Sequence, residues 1–163
     1  MIQLWFDAPD DPAIAAEKLD ALKADGSLLM HAGGMHGYRV VETEVWNRET
    51  RRRGHAPGVT YIGLLDFHAD LPDSAARRSW TLHAEAARLI HVGCRRYRHN
   101  WIAAPLTSDA DAARGISELY FPSRDALIHG FFDSERGRAE IRRDTGHFIS
   151  RGTRLYTTEH VLI

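Results

Sequence analysis

The sequence predicts an α+β fold in which strands and helices alternate around one sheet. Two observations support this fold class. The first is the order of patterns after Val59, which reads strand, helix, strand, strand, helix, strand. That order is typical of the ferredoxin-like β-α-β-β-α-β unit. The second observation is an internal repeat, which predicts that the chain before Asn47 is the second half of another such unit.

The repeat is found when the first part of the chain is aligned without gaps against the last part. The identities cluster in the two strands of the repeated segment, which argues against coincidence. Leu4, Phe6, Asp10, Ala24, Gly37, Arg39, Thr43 and Glu44 are matched by Leu119, Phe121, Asp125, Ala139, Gly152, Arg154, Thr158 and Glu159. We therefore predict an N-terminal half-repeat (β-α-β) at residues 1–46, a linker at 47–58 and a complete unit at 59–163. We expect all three to pack as one globular domain.

Three segments predict the structure of the half-repeat. Ile2–Phe6 has the apolar run of a short buried strand. Ala13–Ala24 is rich in helix formers and follows Asp11-Pro12, where proline favours the first turn of a helix. Tyr38–Trp46 is a strand by its β-branched content. The glycine-rich segment Leu28–Met35 favours neither helix nor strand.

The complete unit is predicted element by element. Its strands are Val59–Ala69, Cys94–Ala103, Gly115–Phe121 and Leu155–Val161. The first helix follows the turn and cap at Leu71–Ser74 and stops at Val92-Gly93. Another helix begins at Pro122-Ser123 and carries Leu127, Ile128, Phe131 and Phe132, and a further helical piece covers Ser134–Gly146. The acidic segment Pro105–Arg114 is a loop.

One histidine interrupts the apolar face of the first helix. Side chains at three- and four-residue spacing share the face that turns towards the sheet, namely Ala76, Trp80, His83, Ala87 and Ile90. Side chains of the strand that follows alternate between its two faces. Tyr97, His99 and Trp101 lie on one face, and Arg96, Arg98 and Asn100 lie on the other.

Composition narrows the function classes. A net charge of −1 and a pI near 6.8 give no reason to expect a nucleic acid or an anionic membrane as partner. The basic run Arg48–Arg53 lacks interleaved aromatics, so we interpret it as a solvated linker. Cys94 is the only cysteine and fits a reducing compartment. The start of the chain is not a signal peptide and no segment is apolar for about 20 residues, so we expect a cytoplasmic location.

Four motifs of the complete unit resemble the EthD-type branch of the dimeric α+β barrel superfamily. They are Trp80-x-x-His83-Ala84, Gly93-x-x-x-Tyr97-x-x-Asn100, Gly115-Ile116-x-Glu118-Leu119-Tyr120-Phe121-x-Ser123 and Thr158-Glu159-His160-Val161. Relatives in this family include polyketide cyclases, decarboxylases, cofactor-free oxygenases, lactone isomerases and accessory proteins. Complete tandem members carry two whole units, whereas this chain lacks the first strand, helix and strand. A homodimer is therefore expected, because a half-unit leaves an open sheet edge.

The resemblance also implies where a ligand binds. In this architecture the helices cover one sheet face, and the opposite faces of two units enclose a cavity for a small hydrophobic or aromatic molecule. The sequence lacks CxxC, HExxH and a glycine loop with phosphate-binding spacing, so we predict no cofactor. Its ten histidines suggest a metal, but no pair has the i, i+4 spacing that chelates zinc from one helix, so we predict no metal site.

Cofactor-independent proton transfer is then the chemistry that these residues support best. We predict His83 as the general base or acid, because imidazole titrates near neutral pH and an apolar wall would keep it neutral. Tyr97 is predicted to donate a hydrogen bond to a carbonyl or enolate oxygen. The alternatives are a core histidine bonded to a backbone carbonyl and a half-buried packing tyrosine.

Five further side chains are predicted to contact the substrate. They are Trp80, Asn100, His99, Trp101 and His68. Trp80 and Trp101 could equally be core residues, and Asn100 could serve an edge or turn. We interpret Cys94 as a small buried hydrophobe rather than a nucleophile. Glu118 is either a second acid/base or a solvent-facing residue.

The leading functional hypothesis is a lyase, cyclase or isomerase that acts on an aromatic or polyketide-like carbonyl compound. The second hypothesis is a cofactor-free or haem-linked monooxygenase. A haem would need a histidine that is free to ligate iron. The third hypothesis is an accessory protein that binds a small molecule without chemistry.

Overall fold

The computed structural model describes residues 36–49, 54–108 and 110–161. These ranges contain β1 (Tyr38–Asn47), β2 (Gly54–Phe67), α1 (Asp73–Ile90), β3 (Arg96–Pro105), β4 (Gly115–Phe121), α2 (Arg124–Gly130), α3 (Glu135–Thr145) and β5 (Ile149–Val161). The predicted β-α-β-β-α-β order is confirmed from β2 to β5, with the second helical region divided into α2 and α3. β1 confirms the strand predicted at Tyr38–Trp46. The strand predicted at Ile2–Phe6 and the helix predicted at Ala13–Ala24 lie outside the described residues.

The strands form one antiparallel sheet in the order β1-β3-β4-β2-β5. β4 lies between β2 and β3 and is antiparallel to both, so that Tyr120 is opposite Thr60 on one side and Arg96 on the other. β2 and β3 are therefore parallel to each other, and α1 connects them across β4. This α+β architecture is compatible with the ferredoxin-like unit.

Two strands are longer than the sequence predicted. β2 begins at Gly54 and not at Val59, which removes the second half of the predicted linker. Its first residues pair with the end of β5, and the register shifts between Ala56 and Thr60. That interval contains Pro57, which lacks the N–H that a regular ladder needs. β5 begins at Ile149 and not at Leu155, because pairing with β2 holds its polar first half in the sheet.

The starts of α2 and α3 follow local signals in the sequence. α1 begins after Pro72 without the side-chain cap predicted at Leu71–Ser74, because Asp73 and Ser74 already lie in its first turn. Ser123 caps α2 by accepting a hydrogen bond from Ala126 N at 3.0 Å, and Ser134 caps α3 through Gly137 N at the same distance. α1 ends at Ile90, and Gly93 then approaches α2 closely enough to donate to Gly130 O at 2.8 Å. A Cβ at Gly93 would overlap the Ala126 carbonyl oxygen, so only glycine fits there.

Among the residues that the structure describes, the core consists of two clusters of buried side chains. One contains Trp46, Ala84, Ala87, Ile90, Cys94, Tyr97, Leu119, Phe121 and Ile141. The other contains Leu65, Phe67, Ala76, Trp80, Trp101 and Phe148. α1 contributes to both, and its buried residues are Ala76, Trp80, His83, Ala84, Ala87 and Ile90. This confirms the helix face that was predicted from the spacing of its apolar residues.

Contacts divide the chain into two compact units. The larger comprises Val40–Ala103 and Ala112–Ile163, and it holds the three helices and both core clusters. The described part of the smaller unit is residues 36–39, 104–108 and 110–111. There Gly37 O accepts a hydrogen bond from Leu106 N at 2.7 Å, and Gly37 N donates to Thr107 Oγ1 at 3.1 Å.

Candidate functional site

A cavity of about 960 Å³ lies between the sheet and the helices of the larger unit. This volume is within the usual range for small-molecule sites. The buried side chains that line it form its inner wall, and they include Trp80, His83, Tyr97, Ser117 and Leu119. The exposed side chains that line it form its rim, and they include Arg124, Ile128, Arg138, Arg142, Arg154 and Tyr156.

The cavity lies on the sheet face that the helices cover. The cavity expected between the opposite faces of two units needs a second unit, so it stays a prediction. Two of the sheet residues that line this cavity are small. Ser117 on β4 and Gly152 on β5 line the cavity and leave space below the helices.

His83 is only 5% exposed, yet it lines the cavity. Its Nδ1 lies 2.7 Å from Oδ2 of Asp144, which is near the C-terminal end of α3. An ionised carboxylate can only accept a hydrogen bond, so Nδ1 carries the proton and donates it. Nε2 is then the ring nitrogen with a lone pair. A histidine whose second nitrogen is held by a carboxylate is the usual arrangement of an oriented general base.

The surroundings of His83 keep its imidazole neutral. Burial lowers the pKa of His83 below the ordinary 6.5, and this effect is the largest. The hydrogen bond and the negative charge of Asp144 raise the pKa, but they only partly offset burial. The prediction that an apolar wall lowers the pKa of His83 is therefore confirmed, and the group can accept a proton at neutral pH.

Tyr97 is in the inner wall of the same cavity as His83. The sequence could not decide whether the two share a sheet face, and the structure places both on the helix-covered face. Tyr97 is 2% exposed and makes edge contacts with the rings of Trp46 at 4.8 Å and His99 at 4.5 Å. Burial raises the pKa of its hydroxyl, against a hydrogen bond from Trp80 that lowers it. The phenol therefore stays protonated and can donate a hydrogen bond.

The other aromatic candidates divide between the cavity and the core. Trp80 lines the cavity and stacks on His99 with ring centroids 4.1 Å apart. His99 is buried behind it, and burial lowers the pKa of His99 to about 3. Trp101 stacks on Phe67 at 5.3 Å and lies under the Arg77 guanidinium at 4.2 Å. Neither His99 nor Trp101 is among the described residues that line the cavity.

Asn100 and His68 lie away from the cavity. Asn100 is on the opposite face of β3, where its Nδ2 donates to Glu118 Oε1 at 2.5 Å. Both residues are less than 5% exposed, so Glu118 is not the solvent-facing residue that one alternative described. His68 Nε2 is 3.1 Å from the carbonyl oxygen of Gly146 and is hydrogen-bonded to backbone.

Three groups in or beside the site were not predicted from the sequence, namely Asp144, His91 and the arginines of the rim. Asp144 is separated from His83 by 61 positions and lies in an arginine-rich segment, so no local pattern indicated it. His91 lines the cavity and bonds through Nδ1 to the Phe131 carbonyl, and burial lowers its pKa to about 4. The i, i+4 spacing of Arg138 and Arg142 could have indicated the third group, the arginines of the rim.

Three further observations bear on alternative chemistry. Cys94 is buried, its Sγ donates to Arg96 O at 3.2 Å, and burial raises the pKa of the thiol to about 12, so it is a packing residue. In the part of the chain that the structure describes, no three His, Cys, Asp or Glu side chains cluster as metal ligands do. No helix within that part combines the length and hydropathy needed to span a bilayer.

No protein-family model matches the chain, and no curated protein matches it. Fold and site therefore define the class of protein. The described ranges form an α+β protein with a five-stranded antiparallel sheet, in which a carboxylate-held histidine lines a cavity under the helices.

Proposed function

We propose that this protein is a cofactor-independent enzyme that transfers a proton on a hydrophobic aromatic or polyketide-like carbonyl compound. The reaction class is that of a lyase, cyclase or isomerase. The observation that carries the proposal is the contact of 2.7 Å between His83 Nδ1 and Asp144 Oδ2 in the wall of a cavity. A packing histidine needs only an acceptor for its N–H, which a backbone carbonyl supplies for His91, whereas a carboxylate also stabilises the imidazolium that a general base forms.

Each group has a defined part in the proposed reaction. Nε2 of His83 removes a proton from the carbon next to the substrate carbonyl. The electron pair of that C–H bond forms the C=C bond of an enolate, and the π pair of the carbonyl moves onto its oxygen. Asp144 holds the ring in the correct tautomer and stabilises the imidazolium that forms. The Tyr97 hydroxyl donates to the enolate oxygen. His83 then returns the proton to a carbon of the intermediate, or the intermediate reacts further by cyclisation or bond cleavage.

The test is exchange of the α-hydrogens of 2-tetralone, 1-indanone and 2-acetylnaphthalene for solvent deuterium, followed by NMR. We expect the wild type to accelerate exchange of at least one ketone. His83→Gln and Asp144→Asn should each lower that rate by roughly 10²–10⁴-fold. Asp125→Asn, an exposed carboxylate on α2, is the matched control and should leave the rate unchanged. Full activity in His83→Gln, or no acceleration with any ketone, contradicts the proposal.

The pH dependence gives a second measurement of the same site. The base form of His83 is required, so the rate should be highest above the lowered pKa and should fall as pH decreases through it. Asp144→Asn removes the interactions that raise this pKa, so the midpoint should move to still lower pH. A midpoint that does not respond to Asp144→Asn contradicts the assignment of His83 as the base.

A non-catalytic binding protein is the alternative that one observation favours. His91 lines the same cavity but bonds to a backbone carbonyl, as a histidine of the core does. If His83 likewise only packs the core, the wild type does not accelerate exchange, and His83→Gln binds these ketones as the wild type does. The haem-linked and cofactor-free monooxygenase hypotheses have no comparable support from the described residues.

We also propose that the protein is a cytoplasmic homodimer with the dimeric α+β barrel architecture of EthD-type proteins. Support for a dimer comes from β5, which ends the sheet and carries Leu155 at 51% exposure. The single buried Cys94 is consistent with a reducing compartment. Sedimentation equilibrium tests the dimer, and a monomer at micromolar concentration contradicts it.

A further inference from the structure

The side chains that line the cavity are buried and mainly apolar in the inner wall, whereas several at the rim are exposed and positively charged. The inner wall holds Trp80, Tyr97 and Leu119 beside His83, and all are buried. The rim is cationic. Its arginines come from three different elements, with Arg124 on α2, Arg138 and Arg142 on α3, and Arg154 on β5. Arginines from three elements therefore line the same cavity.

The positive charge of the rim is not neutralised by the side chains that line the cavity. Glu135 is the single carboxylate among the described lining residues, and Arg138 forms an ion pair with it at 3.4 Å. Arg124, Arg142 and Arg154 have no ion pair with a carboxylate in the part of the chain that the structure describes. Arg154 lies close enough to Tyr61, which also lines the cavity, to lower the pKa of its hydroxyl against the rise that burial causes. Three guanidinium groups therefore remain available to a ligand.

We infer that the ligand of this cavity is an organic anion, with an apolar body against the inner wall and an ionised acidic group at the arginines of the rim. The inference depends on the proposed function only in calling that ligand a substrate. A planar guanidinium binds a carboxylate through two parallel hydrogen bonds, so arginine suits this role better than lysine does. The arrangement also orients the ligand, because the acidic group stays at the rim while the carbonyl end reaches His83.

The test compares two probes of the same shape by titration calorimetry at pH 7.5 and low ionic strength. Naphthalene-2-carboxylate is ionised under these conditions, and naphthalene-2-carboxamide is neutral. We expect the wild type to bind the carboxylate at least about fivefold more tightly, a modest factor because exposed arginines are partly screened by water. The double variant Arg142→Gln, Arg154→Gln should lose this preference and keep its affinity for the amide.

Arg143→Gln is the matched control. Arg143 neighbours Arg142 on α3, is exposed and does not line the cavity, so this variant changes the net charge without changing the rim. It should retain the preference for the carboxylate. Equal affinity of the wild type for both probes overturns the inference, and so does a preference that survives in the double variant or disappears equally in Arg143→Gln.

Calorimetry tests the anion site and deuterium exchange tests the proton transfer, so either proposal can fail while the other holds. Preference for the carboxylate without catalysed exchange leaves the anion site in place and contradicts the proposed proton transfer. Catalysed exchange without any preference for the carboxylate supports the proposed proton transfer and contradicts the anion site. His83→Gln should abolish exchange and keep the preference, because His83 is in the inner wall and not at the rim.

Discussion

The two faces of β3 are buried to a similar extent, but the polar side chains are uncharged on one face and mostly charged on the other. Tyr97, His99 and Trp101 face the helices, and Arg96, Arg98 and Asn100 face the other side, all between 2% and 8% exposed. On the helix-covered face the polar groups are uncharged, because burial lowers the pKa of His99 and raises that of Tyr97. On the opposite face the side chains are charged or strongly polar.

Ion pairs and a hydrogen bond stabilise the buried polar side chains on the opposite face. Arg96 forms an ion pair with Glu159, and Arg98 lies 3.5 Å from Glu42. Asn100 donates to Glu118. Buried charges are tolerated only when they are paired, whereas buried histidines can avoid the desolvation cost by releasing their proton. The proposed function requires His83 to change its protonation state, and His83 is found among the uncharged groups of the helix-covered side.

The first prediction is that acid destabilises the helix-covered face. The pKa of His99 is about 3 in the folded state and 6.5 in the unfolded state, so the unfolded state binds more protons between these values. The free energy of unfolding is therefore not reduced by His99 above pH 6.5, and it decreases as pH falls from 6.5 towards about 3. For His99 alone this amounts to about 2–3 kcal/mol between pH 6.5 and pH 4.5. Urea unfolding at both pH values measures it.

His99→Phe is the variant that isolates this effect. Phenylalanine keeps the stack on Trp80, and it removes a ring nitrogen that has no hydrogen-bond partner among the described residues. Stability at pH 7 should therefore be unchanged or slightly higher. The loss on acidification should be smaller than in the wild type by the contribution of His99. Equal losses in the two proteins contradict a buried neutral His99.

The second prediction concerns the neighbouring position on the opposite face. Asn100→Leu should destabilise the protein by about 2 kcal/mol, because it removes a hydrogen bond to the buried carboxylate of Glu118. Ligand binding in the cavity should not change, since Asn100 lies on the other side of the sheet. Urea unfolding and calorimetry with naphthalene-2-carboxylate measure the two effects. Weaker binding with unchanged stability instead supports the substrate-orienting role that the sequence suggested for Asn100.

The order of the elements could be predicted from the sequence because it depends on local patterns. Spacing on α1 gave the buried face correctly, and Ser123 gave the start of α2. The ends of β2 and β5 were not predictable, because they depend on pairing between segments about 100 residues apart, such as Gly54 with Val161. The polar residues at the start of β5 have low strand propensity, and the ladder with β2 overrides it.

The candidate site shows the same division between local and long-range information. His83 and Tyr97 were predictable as polar groups at positions that face a core, and both line the cavity. Asp144 was not, because its role arises only when α3 packs against α1. The alternation of β3 correctly separated Tyr97 from Asn100, but sequence alone could not decide which of the two faces the helices cover.

The smallest predicted effect tests whether pairing is complete on the opposite face. Thr60 lies on that face, is 5% exposed, and its hydroxyl has no hydrogen-bond partner among the described residues. Thr60→Val should therefore raise stability by about 1 kcal/mol, or Tm by roughly 2–4 °C, since valine has the same shape without the unpaired group. Thr157, opposite Thr60 on β5, bonds to Thr158 O at 3.0 Å, so Thr157→Val should bring no gain. If Thr60→Val is destabilising, the Thr60 hydroxyl is paired in the folded protein, which contradicts the prediction.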